Sequence, residues 1–305
     1  MAHRMKESAQ DRVFTAILYF LVAVIALVCL YPIYFTVIAS FSDPYSVYGG
    51  KVNLWPVGFS LDAYTMVFEN SEIWMGYANT AFYTVFGTLF NLLLTVPAAY
   101  ALSKKRMFGR GLLTGVFLFT MYFSGGMIPT YVLMKQLQLV NTRWALILMG
   151  GLSIYNVIVT RVYFTNNIPE ALCEAARIDG ASELRIFGQL ALPLSGPIVA
   201  VIALYYAVGH WNDYFTALIY TTRKEYQPLS LVLRRLLIQN EAAYTSTMSD
   251  PNATEEMLAM ALQRTYTAAA MKYSLVFISS APMLIAYPFV QKFFVKGMLI
   301  GSLKG

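Results

Sequence analysis

Charged residues are scarce in this chain of 305 residues. Only 12% of the residues are Asp, Glu, Lys or Arg, whereas a soluble globular domain carries about 25%. A soluble chain of this length could not cover its surface with so few charges, and 58% of its residues are hydrophobic. These proportions exclude an ordinary soluble domain and favour a protein that spans a lipid bilayer.

Cysteine and histidine are also scarce, with two residues of each. Cys29 lies in the first apolar stretch and Cys173 in a later loop, so we expect neither a disulfide between them nor a metal site. The sequence has no Gly-x-x-x-x-Gly-Lys-Ser/Thr phosphate loop and no Ser/His/Asp or paired-carboxylate set in a loop. We therefore expect no enzymatic activity and no bound cofactor in this chain.

Six apolar stretches are each long enough to cross about 30 Å of hydrocarbon, which takes about 20 helical residues. A seventh, residues 229–238, is too short and contains two arginines. The pattern predicts an all-α membrane protein with six transmembrane helices. The predicted spans are residues 13–41, 75–103, 111–134, 144–164, 192–220 and 268–290.

The distribution of basic residues predicts the orientation in the membrane. Lys and Arg of short loops stay in the cytoplasm. The loop between the second and third stretches contains Lys104, Lys105, Arg106 and Arg110, and both tails are basic. Both termini are therefore expected in the cytoplasm. The formal charge of +6 then reflects topology, and nucleic acid is not an expected partner.

The chain is expected to have three parts: an N-terminal part with the first span and first outer loop (1–74), a core with five spans (75–290) and a cytoplasmic tail (291–305). The outer loop 221–267 is the longest, with a short amphipathic helix expected around 228–239 and a helix capped near Thr254. A loop this long is more often a docking or lid element. An ordered plug without a partner is the alternative.

Small and polar residues form a stripe in the second stretch. Thr80, Thr84, Gly87, Asn91 and Thr95 recur at helical spacing and so share one face. Such a face either lets helices approach closely and hydrogen-bond to one another or lines a polar pathway. Helix packing is the preferred interpretation.

The third stretch contains Gly125, Gly126 and Pro129 near its outer end. These residues suggest a helix that breaks or kinks, which lipid tolerates only where protein or water surrounds the backbone. A simple loop boundary explains the pattern equally well.

The fifth stretch carries an ionisable carboxylate, Asp213, which is costly inside a bilayer and normally faces a partner or a wet cavity. His210 lies one turn earlier on the same face and could pair with it. The pair either fixes helix packing or belongs to a cavity wall that meets a sugar. The candidate substrate-pathway residues are Thr84, Asn91, Tyr206, His210, Trp211, Asn212, Asp213 and Tyr214.

The loop 168–197, between the fourth and fifth stretches, predicts two short helices. Pro169 suits the first turn of a helix, and Gly180 is the residue expected just after its end. A second helix is expected from Ser182 to a point before Pro193. Two helices joined at a glycine make a compact knob, which by itself could lie on lipid headgroups.

This loop resembles the signature of binding-protein-dependent ABC importer permeases, in which Glu-Ala-Ala is followed by Asp-Gly-Ala, a Phe and two prolines. The resemblance implies the type I ABC importer permease fold and a coupling helix that docks in a cleft of a cytoplasmic ATPase. By similarity, Glu174 would contact the ATPase, Gly180 would permit the turn, and Ala175 and Ala176 would pack inside the cleft. The matching residues are Glu174, Ala175, Ala176, Asp179, Gly180, Ala181, Phe187, Pro193 and Pro197.

Further segments resemble the carbohydrate-uptake branch of that family: Tyr31-Pro32, residues 101–103, Trp211-Asn212 and residues 287–297. Residues 125–130, 141–144 and 300–305 resemble permeases paired with oligosaccharide-binding lipoproteins in Gram-positive bacteria. The resemblance implies a sugar importer of the bacterial cell membrane. Its implied partners are a homologous second permease in a heterodimer, two ABC ATPase subunits that bind ATP and Mg, and an extracellular sugar-binding lipoprotein.

A function from a different class is an ion-coupled secondary transporter that uses Asp213 and His210 as a proton relay. It would leave the 168–197 loop without a role. A membrane-embedded enzyme or sensor would need a catalytic set or a cytoplasmic domain that the sequence does not show.

Overall fold

The computed structural model describes residues 9–250 and 253–302, and only the backbone of residues 9, 240, 286–287 and 289–302. Within these residues the regular structure is helical, and the β structure is one isolated bridge between Ser42 and Phe59. The all-α prediction is therefore confirmed for the part of the chain that is described. The ends of the predicted tails, residues 1–8 and 303–305, lie outside it, as do the side chains of most of the 287–305 segment.

The helices are α1 (Ala9–Ser40), α2 (Pro44–Tyr48), α3 (Asp62–Glu69), α4 (Ser71–Ser103), α5 (Arg110–Tyr122), α6 (Met127–Gln136), α7 (Arg143–Leu148), α8 (Ile154–Asn167), α9 (Glu170–Ile178), α10 (Glu183–Ile186), α11 (Leu192–Leu194), α12 (Gly196–Trp211), α13 (Phe215–Tyr220), α14 (Leu229–Met248) and α15 (Glu255–Ser302). A π-helical turn, Phe187–Ala191, joins α10 to α11, and a 3-10 turn, Lys224–Tyr226, precedes α14.

The described chain divides into two compact units. One comprises the described residues up to 70 and those from 236 to 280, and the other comprises residues 71–235 and those from 281 onward. Both boundaries in the second half of the chain fall inside long helices, α14 and α15. The three-part division expected from the sequence stays a prediction.

The first unit is held together by an aromatic cluster around Phe41. Its ring lies 5.1 Å from that of Tyr64 and 6.4 Å from that of Phe277 in α15. The Tyr64 hydroxyl donates a hydrogen bond of 2.8 Å to Ser40 Oγ. None of the residues in the most apolar part of α1 is buried, so this part makes little contact with the rest of the unit.

The second unit is built on α4, which packs against α8 and α12. One apolar cluster at the Ser103 end of α4 includes Ala99 and Tyr100 of α4 together with Val157 and Phe164 of α8. Another joins Ile198, Ile202 and Tyr206 of α12 with partly buried residues of α8. This packing positions both candidate sites of the chain, one beside α12 and one beside the end of α4.

Three described helices are long and apolar enough to cross a membrane, and five spans result if each of two bent helix pairs counts as one. The pair α5 and α6 bends by 111° at Gly126, whose φ of 86° is in the left-handed region. The helix does stop before Gly125 and Gly126, as a broken span or a loop boundary would each require. The second pair, α10–α11 and α12, bends by 80°.

The fourth apolar stretch, residues 144–164, is not one helix as a span would require. It divides into α7 and α8, and α8 has only 14 residues. Asn91 of α4 explains the break, because its Nδ2 donates hydrogen bonds to the carbonyl oxygens of Gly150 at 3.0 Å and Gly151 at 2.8 Å. Irregular backbone is tolerated at membrane depth where protein satisfies its polar groups. The predicted count of six spans is not confirmed.

Candidate functional site

The knob predicted for the 168–197 loop is present. Pro169 caps α9, and the helix ends at Ile178 with Asp179 as its C-cap. Gly180 follows with a φ of 81°, a conformation that costs little only for glycine. A Cβ at this position would meet no atom within 4 Å. Only backbone strain therefore restricts the position to glycine.

The second helix of the knob is longer than expected. Ser182 caps it, with its Oγ accepting from Arg185 N at 3.4 Å, but the helical path continues through the π turn and α11 to Leu194. The expectation that it ends before Pro193 is wrong. Pro193 is the second residue of α11 and so lies within this continuous helical path.

An ion pair ties the two helices of the knob together across the glycine turn. Arg177 Nε lies 2.7 Å from Glu183 Oε1. The hydrogen bond from Arg177 holds the pKa of the Glu183 carboxyl below its ordinary value, and the same bond raises the pKa of Arg177. Both groups are therefore charged near neutral pH. Sequence reasoning missed this pair, although opposite charges six residues apart on either side of a turn were visible.

The inner face of the knob packs on the end of α4. Cys173 and Ile186 are buried in the apolar cluster there, and Ala176 and Phe187 pack against it. The Phe187 ring lies 5.0 Å from the Tyr100 ring. Ala176 is only partly buried by this packing, and its expected place in an ATPase cleft stays a prediction.

The outer face of the knob is available to a partner. Ala175 is exposed, and the Glu174 side chain is 52% exposed with only a 3.9 Å contact to Arg106. Ile178 and Leu184 are 87% and 83% exposed. These two large apolar side chains and Glu174 are therefore open to contact with a partner. Sequence reasoning had not included Ile178 and Leu184 among the site residues.

A small cavity lies beside α12. Its volume is about 250 Å³, and it is lined by Tyr206, His210 and Asp213 together with Met149, Gly150, Tyr205, Gly209 and Thr216. The structure thus brings together three of the candidate pathway residues on one wall. The tyrosines and the carboxylate offer the aromatic and polar groups that orient a polar ligand.

His210 and Asp213 do not pair with each other. His210 Nε2 donates to Asn91 Oδ1 at 2.6 Å, while Asp213 Oδ1 accepts from the backbone N–H of Thr216 at 3.1 Å. Asp213 therefore acts at the start of α13, where the helical path is interrupted. The suggested pairing one turn apart is wrong because this break turns the carboxylate towards the new helix.

The stripe on α4 packs against neighbouring helices. All five of its residues are buried: Thr80, Thr84, Gly87, Asn91 and Thr95. A Cβ at Gly87 would lie 2.5 Å from His210 Nε2, and Thr95 Oγ1 shares a hydrogen bond of 2.7 Å with the Tyr206 hydroxyl. Thr84 and Asn91 do not line the cavity beside α12. The preferred interpretation, helix packing, is confirmed.

The remaining pathway candidates have other surroundings. The Trp211 ring lies 5.7 Å from the Tyr77 ring in an edge-on arrangement. Asn212 Nδ2 donates to the Val208 carbonyl oxygen at 3.0 Å, and the Tyr214 hydroxyl accepts from Arg234. None of these three residues lines the cavity.

The first part of the long outer loop is fixed to α4. Asn79 Nδ2 donates to the carbonyl oxygens of Glu225 at 2.7 Å and Gln227 at 3.1 Å. Arg235 forms an ion pair with Glu72 at 2.7 Å. This part of the loop is an ordered connection. The cap expected at Thr254 is also present, since its Oγ1 accepts from Met257 N at 3.3 Å.

Long apolar helices, bent helix pairs and a knob that displays a partner surface define a membrane transport component. The chain belongs to the family described as the binding-protein-dependent transport system inner membrane component, whose model matches residues 73–299.

Three relatives resemble this chain over nearly its whole length, and two of them are named as transport system permeases. It is 37% identical to Protein LplC of Bacillus subtilis, covering 99% of both chains. It is 37% identical to the polygalacturonan/rhamnogalacturonan transport system permease protein YtcP of the same organism, covering 97% of this chain and 100% of the relative. It is 30% identical to the galactooligosaccharides transport system permease protein GanQ, also of B. subtilis, over 94% of each.

A solved structure shows the same fold. It is the crystal structure of a bacterial ABC transporter involved in the import of the acidic polysaccharide alginate, with a TM-score of 0.81 and 36% identity. The match covers 95% of this chain and 99% of that chain. The chain is therefore a permease component with the type I ABC permease fold and not an enzyme, and it is a multi-pass protein of the plasma membrane.

Proposed function

We propose that this chain is one transmembrane subunit of an ATP-driven, binding-protein-dependent importer of oligosaccharides. The knob carries the proposal, because its signature residues stand on two helices locked by the Arg177–Glu183 pair and its outer face displays Glu174, Ile178 and Leu184. The sugar substrate is supported by the relatives, whose names include polygalacturonan, rhamnogalacturonan and galactooligosaccharides.

The complete importer would contain a homologous permease as heterodimer partner, two cytoplasmic ABC ATPase subunits that bind ATP and Mg, and an extracellular sugar-binding lipoprotein. Both termini and the knob would lie in the cytoplasm of a bacterial cell, with six spans in all and the 221–267 loop outside. The basic residues beside the Ser103 end of α4 support this orientation. The exposed apolar residues of α1 would face lipid or the partner permease.

Coupling would pass from the ATPase through the knob to the spans. The outer face of the knob would follow its ATPase cleft as the ATPase subunits close and open. Phe187 and the buried Cys173 transmit this movement to the end of α4, since both pack in the apolar cluster there. The bend of 80° between α11 and α12 gives a second connection, at the start of the helix that lines the small cavity. Rigid-body gating of this kind is part of the known repertoire of switching proteins.

The cavity beside α12 is the best-placed candidate for a saccharide contact in this chain. Tyr206, His210 and Asp213 would supply aromatic surface and hydrogen-bonding groups to a sugar passing along the helix. Its volume of about 250 Å³ is below the range of about 300–1,000 Å³ usual for ligand pockets. The second permease would therefore complete the pathway.

Substitutions in the knob test the coupling role. Glu174→Lys and Gly180→Val are expected to abolish uptake and to uncouple ATP hydrolysis from substrate, while the complex still assembles in the membrane. Glu174→Lys reverses a charge on the proposed docking face, and Gly180→Val strains a backbone that needs a φ of 81°. Uptake of labelled oligosaccharide and ATPase activity would be measured on the reconstituted complex.

Matched controls are available in the same region. Glu170→Lys makes the same charge change one turn earlier on α9, and Gly109→Val puts the same strain on another left-handed glycine, with a φ of 71°. Both controls should keep most of the uptake. Undiminished uptake in both knob variants would contradict the coupling role.

A further inference from the structure

A cavity of about 440 Å³ lies beside the contact between the knob and the end of α4. Pro97 and Ala101 of α4 form part of its apolar wall, and Leu184 and Phe187 of the knob form the opposite part. Lys104, Arg106 and Arg177 also line it, with Glu183 as the one carboxylate. The cavity thus combines an apolar wall with an excess of positive charge.

Lys104 is a cation without a carboxylate partner within ion-pair distance in the described residues. Its Nζ lies 3.2 Å from Cys173 Sγ and 4.5 Å from the centre of the Tyr100 ring. Burial acts to lower the pKa of Lys104, but the hydrogen bonds to Cys173 and Tyr100 outweigh it and the net pKa is raised. Lys104 therefore stays charged, and the nearby Glu183 carboxylate compensates that charge only at a distance beyond an ion pair.

The two arginines of the cavity are also incompletely paired. Arg106 reaches Glu174 only at 3.9 Å, and its side chain is 72% exposed, so the contact contributes little. Arg177 uses Nε for Glu183, but its buried Nη1 has no hydrogen-bond acceptor among the described residues. An anionic group in the cavity would meet three cations against one carboxylate, and the unused N–H donor of Arg177.

The position of the cavity decides what kind of anion it meets. Pro97 and Ala101 lie in the last two turns of α4, which is a candidate membrane span ending at Ser103. With the membrane placement given under Proposed function, the apolar wall would lie near the end of the hydrocarbon and the cations near the headgroups. Basic pockets at this level on the cytoplasmic side are typical sites for anionic lipid headgroups.

We propose that this cavity binds one anionic phospholipid, with its phosphate at Lys104 and Arg106 and part of an acyl chain against Pro97, Ala101 and Phe187. The lipid braces the knob against α4 and makes coupling sensitive to the lipid composition of the membrane. The proposal rests on the membrane placement given under Proposed function. An anionic segment of the ATPase fits the charge but not an apolar wall formed by the end of a membrane span.

The test measures bound lipid directly by native mass spectrometry of the assembled importer, exchanged from phosphatidylcholine into mixtures with phosphatidylglycerol. Lys104→Gln and Arg106→Gln are each expected to weaken phosphatidylglycerol binding about fivefold, since a basic residue near the membrane surface contributes about 1 kcal/mol. Lys105→Gln is the control, because Lys105 is exposed, adjacent in sequence and not part of the cavity wall. It should leave the affinity unchanged.

The proposal is overturned by equal loss in Lys105→Gln, by no loss in Arg106→Gln, or by full displacement of the lipid by inorganic phosphate. If Lys104→Gln or Arg106→Gln released ATPase subunits from the complex and left the bound lipid unchanged, the ATPase and not a lipid would occupy the cavity. Because the Arg106 side chain is largely exposed, Arg106→Gln is expected to fold normally. A loss of lipid in that variant is then not caused by misfolding. The readout needs no transport, so it fails or succeeds separately from the uptake test of the knob.

Discussion

Gly87 of α4 lies directly against His210 of α12, and its side chain must be a hydrogen atom. An added Cβ would lie 2.5 Å from Nε2 and 2.6 Å from Cε1 of His210. The imidazole cannot easily move away, because Nε2 is bonded to Asn91 Oδ1 at 2.6 Å. Asn91 in turn holds the broken backbone at Gly150 and Gly151. One hydrogen atom in place of a methyl group thus permits a chain of contacts across three segments.

Replacing Gly87 by alanine is expected to destabilise the protein by about 1–3 kcal/mol, the usual cost of forcing an extra carbon into a packed contact. The loss would appear as a lower thermal unfolding midpoint of the detergent-solubilised complex. His210→Ala in the same chain should recover part of the loss by removing the ring.

Gly115→Ala serves as the comparison, because Gly115 is also helical but an added Cβ there meets no atom within 4 Å. It should be neutral or slightly stabilising. If Gly87→Ala and Gly115→Ala had the same thermal unfolding midpoint, the close contact with His210 would not be what requires glycine at position 87.

The Arg177–Glu183 pair predicts a pH dependence. The pKa of Glu183 is lowered in the folded protein by the hydrogen bond from Arg177. Its stabilisation is therefore present above the ordinary value of 4.5 and is lost as the pH falls through the lowered pKa. Because Glu183 is more than half exposed, the contribution is screened and is expected at about 0.2–1 kcal/mol.

The measurement compares the unfolding midpoints of the wild-type chain and Glu183→Gln at neutral pH and in acid. The difference should be present at neutral pH and should shrink in acid. In the double variant Arg177→Gln and Glu183→Gln this pH dependence should be gone. A difference that grows on acidification would contradict the assigned pKa direction.

Among the helices, those with strong local signals were predictable from sequence. Pro169, Gly180, Ser182 and Thr254 mark helix ends through backbone conformation or a side-chain cap, and the structure places helix ends at each of them. Gly126 likewise marks the bend between α5 and α6. Each of these signals acts within a few residues, so no knowledge of the fold is needed to read it.

Elements whose ends depend on distant residues were not predictable. The break between α7 and α8 is satisfied by Asn91, about 60 residues earlier in the chain. The segment that follows α13 is fixed by Asn79, which accepts from Arg143 Nη2 at 3.3 Å and donates to two carbonyl groups of that segment. No spacing in the sequence joins these residues, so an apolar stretch appeared continuous where the structure divides it.

For the whole molecule, the energy source distinguishes the two classes of transporter. The complex reconstituted in proteoliposomes with its ATPase and binding protein is expected to take up oligosaccharide only when ATP is supplied on the side of the ATPase. Dissipating the proton gradient with an ionophore should leave uptake unchanged, since family membership indicates an ABC permease.

An ATPase subunit that binds ATP but cannot hydrolyse it provides the negative control, and Asp213→Asn tests the proton relay. Asp213 accepts a backbone hydrogen bond at the start of α13, so its loss should reduce stability or sugar affinity without making uptake proton-dependent. Uptake driven by a proton gradient in the absence of ATP would refute the proposed importer.

The sequence by itself determined that the chain is a helical membrane protein, because too few charges leave the bilayer as its only suitable solvent. It also determined the knob, whose turn needs a glycine at position 180 and whose helices have local caps. Only the tertiary structure decided which polar residues serve packing and which line a cavity. The face of a helix is set by the sequence, but what covers that face is set by neighbours distant along the chain. For that reason the sequence did not show that Asn91 bonds the backbone between α7 and α8. Nor did it show that Tyr206 and Asp213 line a cavity, or that Lys104 lies beside an apolar one.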